Sequence, residues 1–170
     1  EKRIDSVELY PYRALIKEGL SSVMVAHLNV PSLEKRSGFP SSLSKHIVTD
    51  ILKDELGFKG LIFTDALTMK GAADYVNKGV DGATSKTLSK GGEIDLMAFL
   101  AGNDVMLMSE NPVKGIAKFV EAFTNGLITE DRLAHSVKKV LMAKYKVGLH
   151  NYSPVGLCNL HEDLNRLKDD

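Results

Sequence analysis

The rest of the chain is organised around residues 57–72, which read Gly57-Phe58-Lys59-Gly60-Leu61-Ile62-Phe63-Thr64-Asp65-Ala66-Leu67-Thr68-Met69-Lys70-Gly71-Ala72. The apolar run of this stretch, Leu61 to Phe63, follows a helix-ending glycine and stops at Thr64-Asp65. A short apolar run of this kind is typical of a strand buried on both faces. A carboxylate directly after such a strand lies at its carboxyl end, where α/β folds carry their chemistry. Asp65 is therefore the first candidate for a functional residue.

Length and composition limit the classes of protein to consider. The 170 residues are enough for one domain with a core, and 44% hydrophobic and 26% charged residues are ordinary for a globular protein. The net charge of zero gives no reason to expect nucleic-acid or membrane-surface binding. No apolar run approaches the roughly 20 residues of a membrane helix, and no signal peptide is visible. The single cysteine, Cys158, excludes an internal disulfide and a cysteine-rich zinc site.

Apolar spacing upstream of the opening stretch predicts a helix and then a strand. The helix covers residues 5–18, and Pro11 either kinks it or begins its second half. The strand covers residues 22–26, is expected to be buried, and ends at His27.

A second helix is predicted just before the opening stretch. Ser41 or Ser42 is its candidate N-cap, and Gly57 ends it. Its apolar residues form one continuous stripe. They are Leu43, Ile47, Val48, Ile51, Leu52 and Leu56.

The downstream part begins with a long, weakly patterned connection over residues 68–90, with one turn of helix near residues 72–76. A helix over residues 93–101 and a strand over residues 105–108 follow. Two further helices are predicted, with Asn111 and Thr129 as N-caps. They end at Gly126 and Gly148, and the last residues hold a short charged helix.

Strands alternate with helices along the chain, which predicts an α/β fold with parallel strands and right-handed crossovers. Each predicted strand is followed by polar residues: His27, Asp65, and Ser109 with Glu110. Parallel strands place these residues on the same rim of the sheet.

Several pieces of the sequence together resemble glycoside hydrolase family 3, in particular its β-N-acetylhexosaminidase branch. They occur in the order and at spacings similar to those of that family, over roughly residues 5–148. The pieces are Val23-Met24-Val25-Ala26-His27, Pro40-Ser41-Ser42-Leu43-Ser44, Leu56-Gly57-Phe58-Lys59-Gly60, Thr64-Asp65-Ala66-Leu67-Thr68-Met69-Lys70-Gly71, Ala101-Gly102-Asn103-Asp104 and the helix from Arg132 to Lys144.

The resemblance implies a fold. The catalytic domain of that family resembles a TIM-like (β/α)8 barrel, and this chain would carry its last three βα units. Residues 1–148 would form part of the barrel, and residues 149–170 would be a linker and C-terminal tail. A complete barrel has eight strands and typically about 250 residues, so the barrel expected here is incomplete.

The resemblance also implies a chemistry. Asp65 would be the nucleophile of a retaining hydrolase that removes terminal β-linked N-acetylhexosamine, and His27 and Met69 would line the carbohydrate site. No metal and no organic cofactor would be needed. The acid/base histidine of that branch lies on a loop with Gly-His-Gly and Asp-Ser-His runs, and neither run occurs in this sequence. His27 is the nearest candidate for that role, and these residues alone are expected to be inactive.

Other interpretations remain open. A family-3 β-glucosidase would use the same nucleophile. A truncated barrel without catalysis would need its upstream half or a partner, and exposed sheet edges and helix faces would favour self-association. In a receiver-like signalling domain, Asp65 would accept a phosphate. Such a domain needs an acidic pair after an earlier strand to bind magnesium, and Ala26-His27-Leu28 has none.

Simpler structural roles are also open for each candidate. Asp65 could cap a helix or stabilise a loop, His27 could be structural, and Met69 could be packing. Asp104 is expected in a turn and Glu110 in solvent. Four histidines at no ligand-like spacing are expected on the surface: His46, His135, His150 and His161.

Overall fold

A parallel three-stranded sheet, in the order β1-β2-β3, is the centre of the fold in the computed structural model. The structure describes residues 2–77, 92–154 and 159–166. The strands are β1 (Ser22–Val25), β2 (Leu61–Ala66) and β3 (Val105–Leu107). The helices are α1 (Tyr10–Lys17), α2 (Lys70–Asn77), α3 (Glu93–Ala101), α4 (Pro112–Thr124), α5 (Glu130–Lys146) and α6 (Leu160–Asn165). Two π-helical segments, Ile4–Glu8 and His46–Glu55, and two 3₁₀ turns, Ser41–Leu43 and Leu149–Asn151, complete the described elements.

The strands and helices alternate as the sequence predicts, so the α/β class is confirmed. β1 is in register with β2 from Ser22 opposite Leu61 to Val25 opposite Thr64. β2 pairs with β3 through an irregularity between Phe63 and Ala66. The carboxyl ends of all three strands therefore lie on one edge of the sheet.

The core explains why β2 occupies the centre. Ile62 is fully buried and packs in a cluster with Val48, Leu52, Phe58 and Ala101. Burying a side chain of this size contributes about 1.5–3 kcal/mol. A second cluster lies under the segment that follows β2; its members are Phe39, Leu43, Leu67 and Ala98. β2 is thus anchored before and after the position of Asp65. The predicted burial on both faces is wrong, because Leu61 and Phe63, on the face opposite Ile62, are only partly buried.

The helix caps predicted at Asn111 and Thr129 are confirmed, because each cap bonds to a backbone N–H three residues away. The side chain of Asn111 accepts a hydrogen bond from the N–H of Lys114 at 3.1 Å, with Pro112 in the first turn. Thr129 Oγ1 accepts from the N–H of Arg132 at 3.2 Å. Pro11 begins the second half of the first predicted helix, because it lies in the first turn of α1.

The predicted N-cap at Ser41 or Ser42 is wrong. These residues form a 3₁₀ turn, and the longer helical segment begins at His46. The hydroxyl of Ser41 instead donates to the carbonyl of Ala26 at 2.6 Å and accepts from the N–H of Leu28 at 3.1 Å. The serines are therefore used to hold the segment that follows β1.

The chain divides into two compact units, Glu1–Val140 and Leu141–Asp170. The sheet and all the candidate site residues lie in the first unit. The boundary predicted at residue 148 remains a prediction. Cys158 and most of the predicted connection over residues 68–90 lie outside the described residues.

Candidate active site

Asp65 lies near the carboxyl end of β2, with its side chain half-buried. Its Oδ1 accepts a hydrogen bond from the N–H of Ala66 at 2.8 Å. Within the described part of the chain, Oδ2 makes no hydrogen bond. The preceding residue, Thr64, is fully buried, and its Oγ1 accepts from the N–H of Leu107 at 3.0 Å. The carboxylate is thus held by one oxygen on a strand that is tied to its neighbour.

His27 has both ring nitrogens engaged by the protein. Nδ1 lies 2.6 Å from Ser42 Oγ, and Nε2 lies 3.0 Å from the carbonyl oxygen of Ala66. A carbonyl oxygen only accepts, so Nε2 carries the proton and donates it. Nδ1 of the neutral ring then accepts from the hydroxyl of Ser42. Neither nitrogen is left for a sugar hydroxyl or for proton transfer in this arrangement.

Met69 lies in the turn that follows β2, and 48% of its surface is exposed. Its N–H donates to the carbonyl oxygen of Ala66 at 2.9 Å, which closes the turn. Its side chain is thus exposed four residues after Asp65. The predicted substrate contacts of Met69 and His27 remain predictions.

The polar residues after β3, Ser109 and Glu110, make no hydrogen bond with Asp65 among the described residues. Ser109 Oγ donates to a carboxylate oxygen of Asp95 at 3.0 Å, and Glu110 is exposed, as predicted. Burial raises the pKa of Asp95, and the hydrogen bond from Ser109 opposes that rise. The hydroxyl of Ser109 is therefore hydrogen-bonded to a side chain of α3 in this structure. The four histidines expected on the surface are all exposed.

Sequence reasoning missed the importance of Asp104, which was expected in a turn. Asp104 is buried and accepts hydrogen bonds from the N–H of Ile62, from Ser136 at 2.5 Å and from Lys139 at 2.6 Å. Burial raises the pKa of Asp104, but the bonds from Lys139 and Ser136 outweigh it, and the pKa is lowered. The i, i+4, i+7 spacing of Arg132, Ser136 and Lys139 was the available signal for this network.

Ser42 and Asn103 were also missed. Both are fully buried. Asn103 Nδ2 donates to the carbonyl of Ser42 at 2.8 Å and to that of Ala98 at 2.7 Å. The Ala101-Gly102-Asn103-Asp104 piece therefore supports the turn that holds His27, although it lies at the other end of β3.

The described residues hold no group of three or more His, Cys, Asp or Glu side chains arranged to bind a metal ion. No helix in the described parts of the chain has the length and apolar character needed to cross a membrane.

Comparisons with known proteins identify the family to which most of the chain is similar. Residues 1–143 match the family described as glycosyl hydrolase family 3 N terminal domain. A β-N-acetylglucosaminidase/β-glucosidase of Cellulomonas fimi is 29% identical over 147 residues, which is 82% of this chain and 24% of that protein. β-Hexosaminidase A of Pseudoalteromonas piscicida is 28% identical over 157 residues, 85% of this chain and 25% of that protein.

A solved structure agrees with these sequence matches. The glycoside hydrolase family 3 β-N-acetylglucosaminidase of Paenibacillus sp. str. FPU-7 superposes with a TM-score of 0.77 at 29% identity. The match covers 92% of this chain and 28% of that one. The chain thus spans about a quarter of the length of the relatives it matches, in agreement with an incomplete barrel. It belongs to glycosyl hydrolase family 3.

Proposed function

We propose that the protein containing this chain is a retaining glycosidase that removes terminal β-linked N-acetylhexosamine, with Asp65 as its nucleophile. The observation that carries this proposal is the position of Asp65. Its carboxylate lies near the carboxyl end of β2, a parallel strand in which Ile62 and Thr64 are fully buried, and Oδ1 is fixed by a backbone N–H. Oδ2 is the oxygen that remains for attack. Family membership supports the same assignment.

The reaction would proceed in two displacements. The Asp65 carboxylate attacks the anomeric carbon as the glycosidic bond breaks, and a covalent glycosyl-enzyme forms. Water then attacks the same carbon and releases the sugar with its original β configuration. An acid must protonate the leaving oxygen in the first step, and it contributes about 10²–10⁴-fold in rate. Because both nitrogens of His27 have protein partners, we place that acid outside the described residues.

The sugar is the open part of the proposal. The Cellulomonas fimi relative carries both activities in its name, β-N-acetylglucosaminidase and β-glucosidase. A β-glucosidase therefore stays as the second candidate. Aryl N-acetylglucosaminide and aryl glucoside, compared at equal concentration on the full-length protein, separate the two by kcat/KM.

The nucleophile is tested in the full-length protein with Asp65→Ala and Asp65→Asn. Both are expected to lower kcat by about 10³-fold or more, because the first displacement loses its carboxylate. Azide added to Asp65→Ala is expected to enter the vacated space and give the α-glycosyl azide. The matched control is Asp54→Asn, at an exposed carboxylate in the π-helical segment His46–Glu55, and it is expected to keep wild-type turnover. Normal turnover by Asp65→Asn would remove Asp65 from the mechanism.

We also propose that the isolated chain self-associates. Several large apolar side chains on α4 are exposed, and β1 and β3 are each paired with β2 on one side only among the described strands. Open sheet edges and contiguous apolar faces are the usual sites of association.

A further inference from the structure

Ala66 uses both of its backbone polar groups next to the candidate nucleophile. Its N–H donates to Asp65 Oδ1 at 2.8 Å. Its carbonyl oxygen accepts two hydrogen bonds, one from His27 Nε2 at 3.0 Å and one from the N–H of Met69 at 2.9 Å. The N–H and the carbonyl of Ala66 belong to neighbouring peptide units that share its Cα, so a side chain that holds the carbonyl also restrains the backbone next to the carboxylate.

The ring of His27 is itself held from several directions. Ser42, which is fully buried, contacts Nδ1 at 2.6 Å, and the carbonyl of Ser42 is held by Asn103. Gly71 at the start of α2 lies close on another side: a Cβ at this position would come within 3.0 Å of His27 Cβ and 3.1 Å of its carbonyl oxygen. The two hydrogen bonds thus hold the ring, and the close approach of Gly71 restricts the backbone and Cβ of His27.

We propose that His27 is a positioning residue for the glycosidase reaction. In the Nε2–H tautomer, selected by the Ser42 hydroxyl, it holds Ala66 and so orients the Asp65 carboxylate toward the anomeric carbon. It acts through Ala66 and not through contact with the sugar. This inference rests on the proposed function and adds to it a residue that orients the nucleophile.

The physical reason is the distance dependence of nucleophilic attack. A displacement of about 1 Å at the reacting atom costs on the order of 10²-fold in rate. Only the Nε2–H tautomer can donate to a carbonyl at Nε2, and the partner of the other ring nitrogen selects the tautomer. Ser42 supplies that partner, because its hydroxyl can donate to Nδ1.

The kinetic test compares two substitutions in the full-length protein. The side-chain amide of Gln reaches roughly the place of Nε2, so His27→Gln keeps a donor for Ala66. The amide of Asn reaches only the place of Nδ1, so His27→Asn loses it. We expect His27→Asn to lower kcat by about 10²-fold with KM nearly unchanged. His27→Gln should stay within a few-fold of wild type.

Two results would overturn the inference. An equal loss of kcat in both variants would mean that the donor to Ala66 does not matter. A change confined to KM would mean that His27 binds the sugar directly. Circular dichroism melting of both variants keeps a folding defect from being read as a loss of positioning.

A second measurement does not depend on turnover. Long-range ¹H–¹⁵N spectra of the full-length protein report which ring nitrogen of His27 carries the proton. We expect the Nε2–H form of His27 in wild type and in Ser42→Thr, and a mixture of tautomers in Ser42→Ala. An Nδ1–H form in wild type contradicts the inference whatever the activity. If wild type hydrolyses neither aryl glycoside, the proposed function fails, while these spectra still decide whether His27 is in the Nε2–H form that a bond to Ala66 requires.

Discussion

At the scale of the residue, two aspartates at opposite ends of neighbouring strands have different environments. Asp65 lies at the carboxyl end of β2, where one of its oxygens has no partner in the described part of the chain. Asp104 directly precedes β3 and is saturated by Ile62, Ser136 and Lys139. In barrel folds the carboxyl end of the strands carries the chemistry and the amino end carries stability. The contrast supports the role proposed for Asp65 and predicts a role in stability for Asp104.

The stability role of Asp104 is tested by Asp104→Asn. The substitution leaves the mostly buried ammonium group of Lys139 without its carboxylate, which is expected to cost about 3–5 kcal/mol of unfolding free energy. The control is Asp50→Asn, which breaks the exposed pair with His46 and should cost about 1 kcal/mol at most. Urea unfolding followed by circular dichroism measures both. Similar values for the two variants would count against the buried network.

Glu34 predicts a dependence of stability on pH. Its carboxylate accepts two side-chain hydrogen bonds from Arg36 and one from Ser44. The bond from Arg36 lowers the pKa of Glu34 most; burial opposes it, Ser44 adds to it, and the pKa falls from 4.5 to about 2. A lowered folded-state pKa gives stability that is complete above pH 4.5 and is lost as the pH falls toward 2.

We therefore expect wild type to be more stable than Glu34→Gln at pH 6, and the difference to shrink steadily below pH 4.5. Urea unfolding at several pH values measures the difference. Glu8→Gln is the control, because the pair of Glu8 with Arg3 is exposed and should give little difference at any pH. A gap between wild type and Glu34→Gln that stays constant down to pH 2.5 would contradict the assignment.

At the scale of the element, the turn Ser41–Leu43 and the start of α2 fix the segment after β1. Ser41 brackets the segment with bonds to Ala26 and Leu28, and Ser42 holds the ring of His27. Gly71 allows α2 to begin against His27. These contacts bring the ends of β1 and β2 together where the chemistry is proposed.

This packing predicts opposite effects for two Gly→Ala substitutions. Gly71→Ala places a methyl group within 3.0 Å of His27 Cβ, and overpacking of this kind costs about 1–3 kcal/mol. Gly115→Ala, inside α4, meets Asp95 at an ordinary 3.5 Å and should gain about 0.5–1 kcal/mol of helix propensity. Thermal unfolding gives the sign for each. A stabilising Gly71→Ala would show that His27 is not tightly enclosed.

At the scale of the whole molecule, the outer face of α4 has no partner in the described structure. Val113, Ile116, Val120 and Phe123 follow the i, i+3, i+7, i+10 spacing of one helix face and are between 46% and 78% exposed. A face of this composition is normally covered in a folded protein.

Residues 1–170 alone are therefore expected to associate and to hydrolyse neither aryl glycoside. Sedimentation velocity over a range of concentrations measures the association. Val120→Lys should reduce it by placing a charge on the apolar face, whereas Asn125→Lys, at an exposed polar position just after α4 and away from that face, should not. A monodisperse and active monomer of this length would refute both expectations.

Sequence pattern alone was enough to predict the alternation of strands and helices, the caps at Asn111 and Thr129, and the place of Asp65 near the carboxyl end of a strand. These features depend on apolar periodicity and on partners within a few residues, which a linear pattern records. The tertiary structure was needed to show that Ser42 and Ala66 both hydrogen-bond to the ring of His27, from 15 and 39 residues away in the sequence. It was also needed to show that Lys139 pairs with Asp104, 35 residues away. Such hydrogen bonds depend on which side chains the fold brings within 3 Å, and spacing along the chain does not encode that distance.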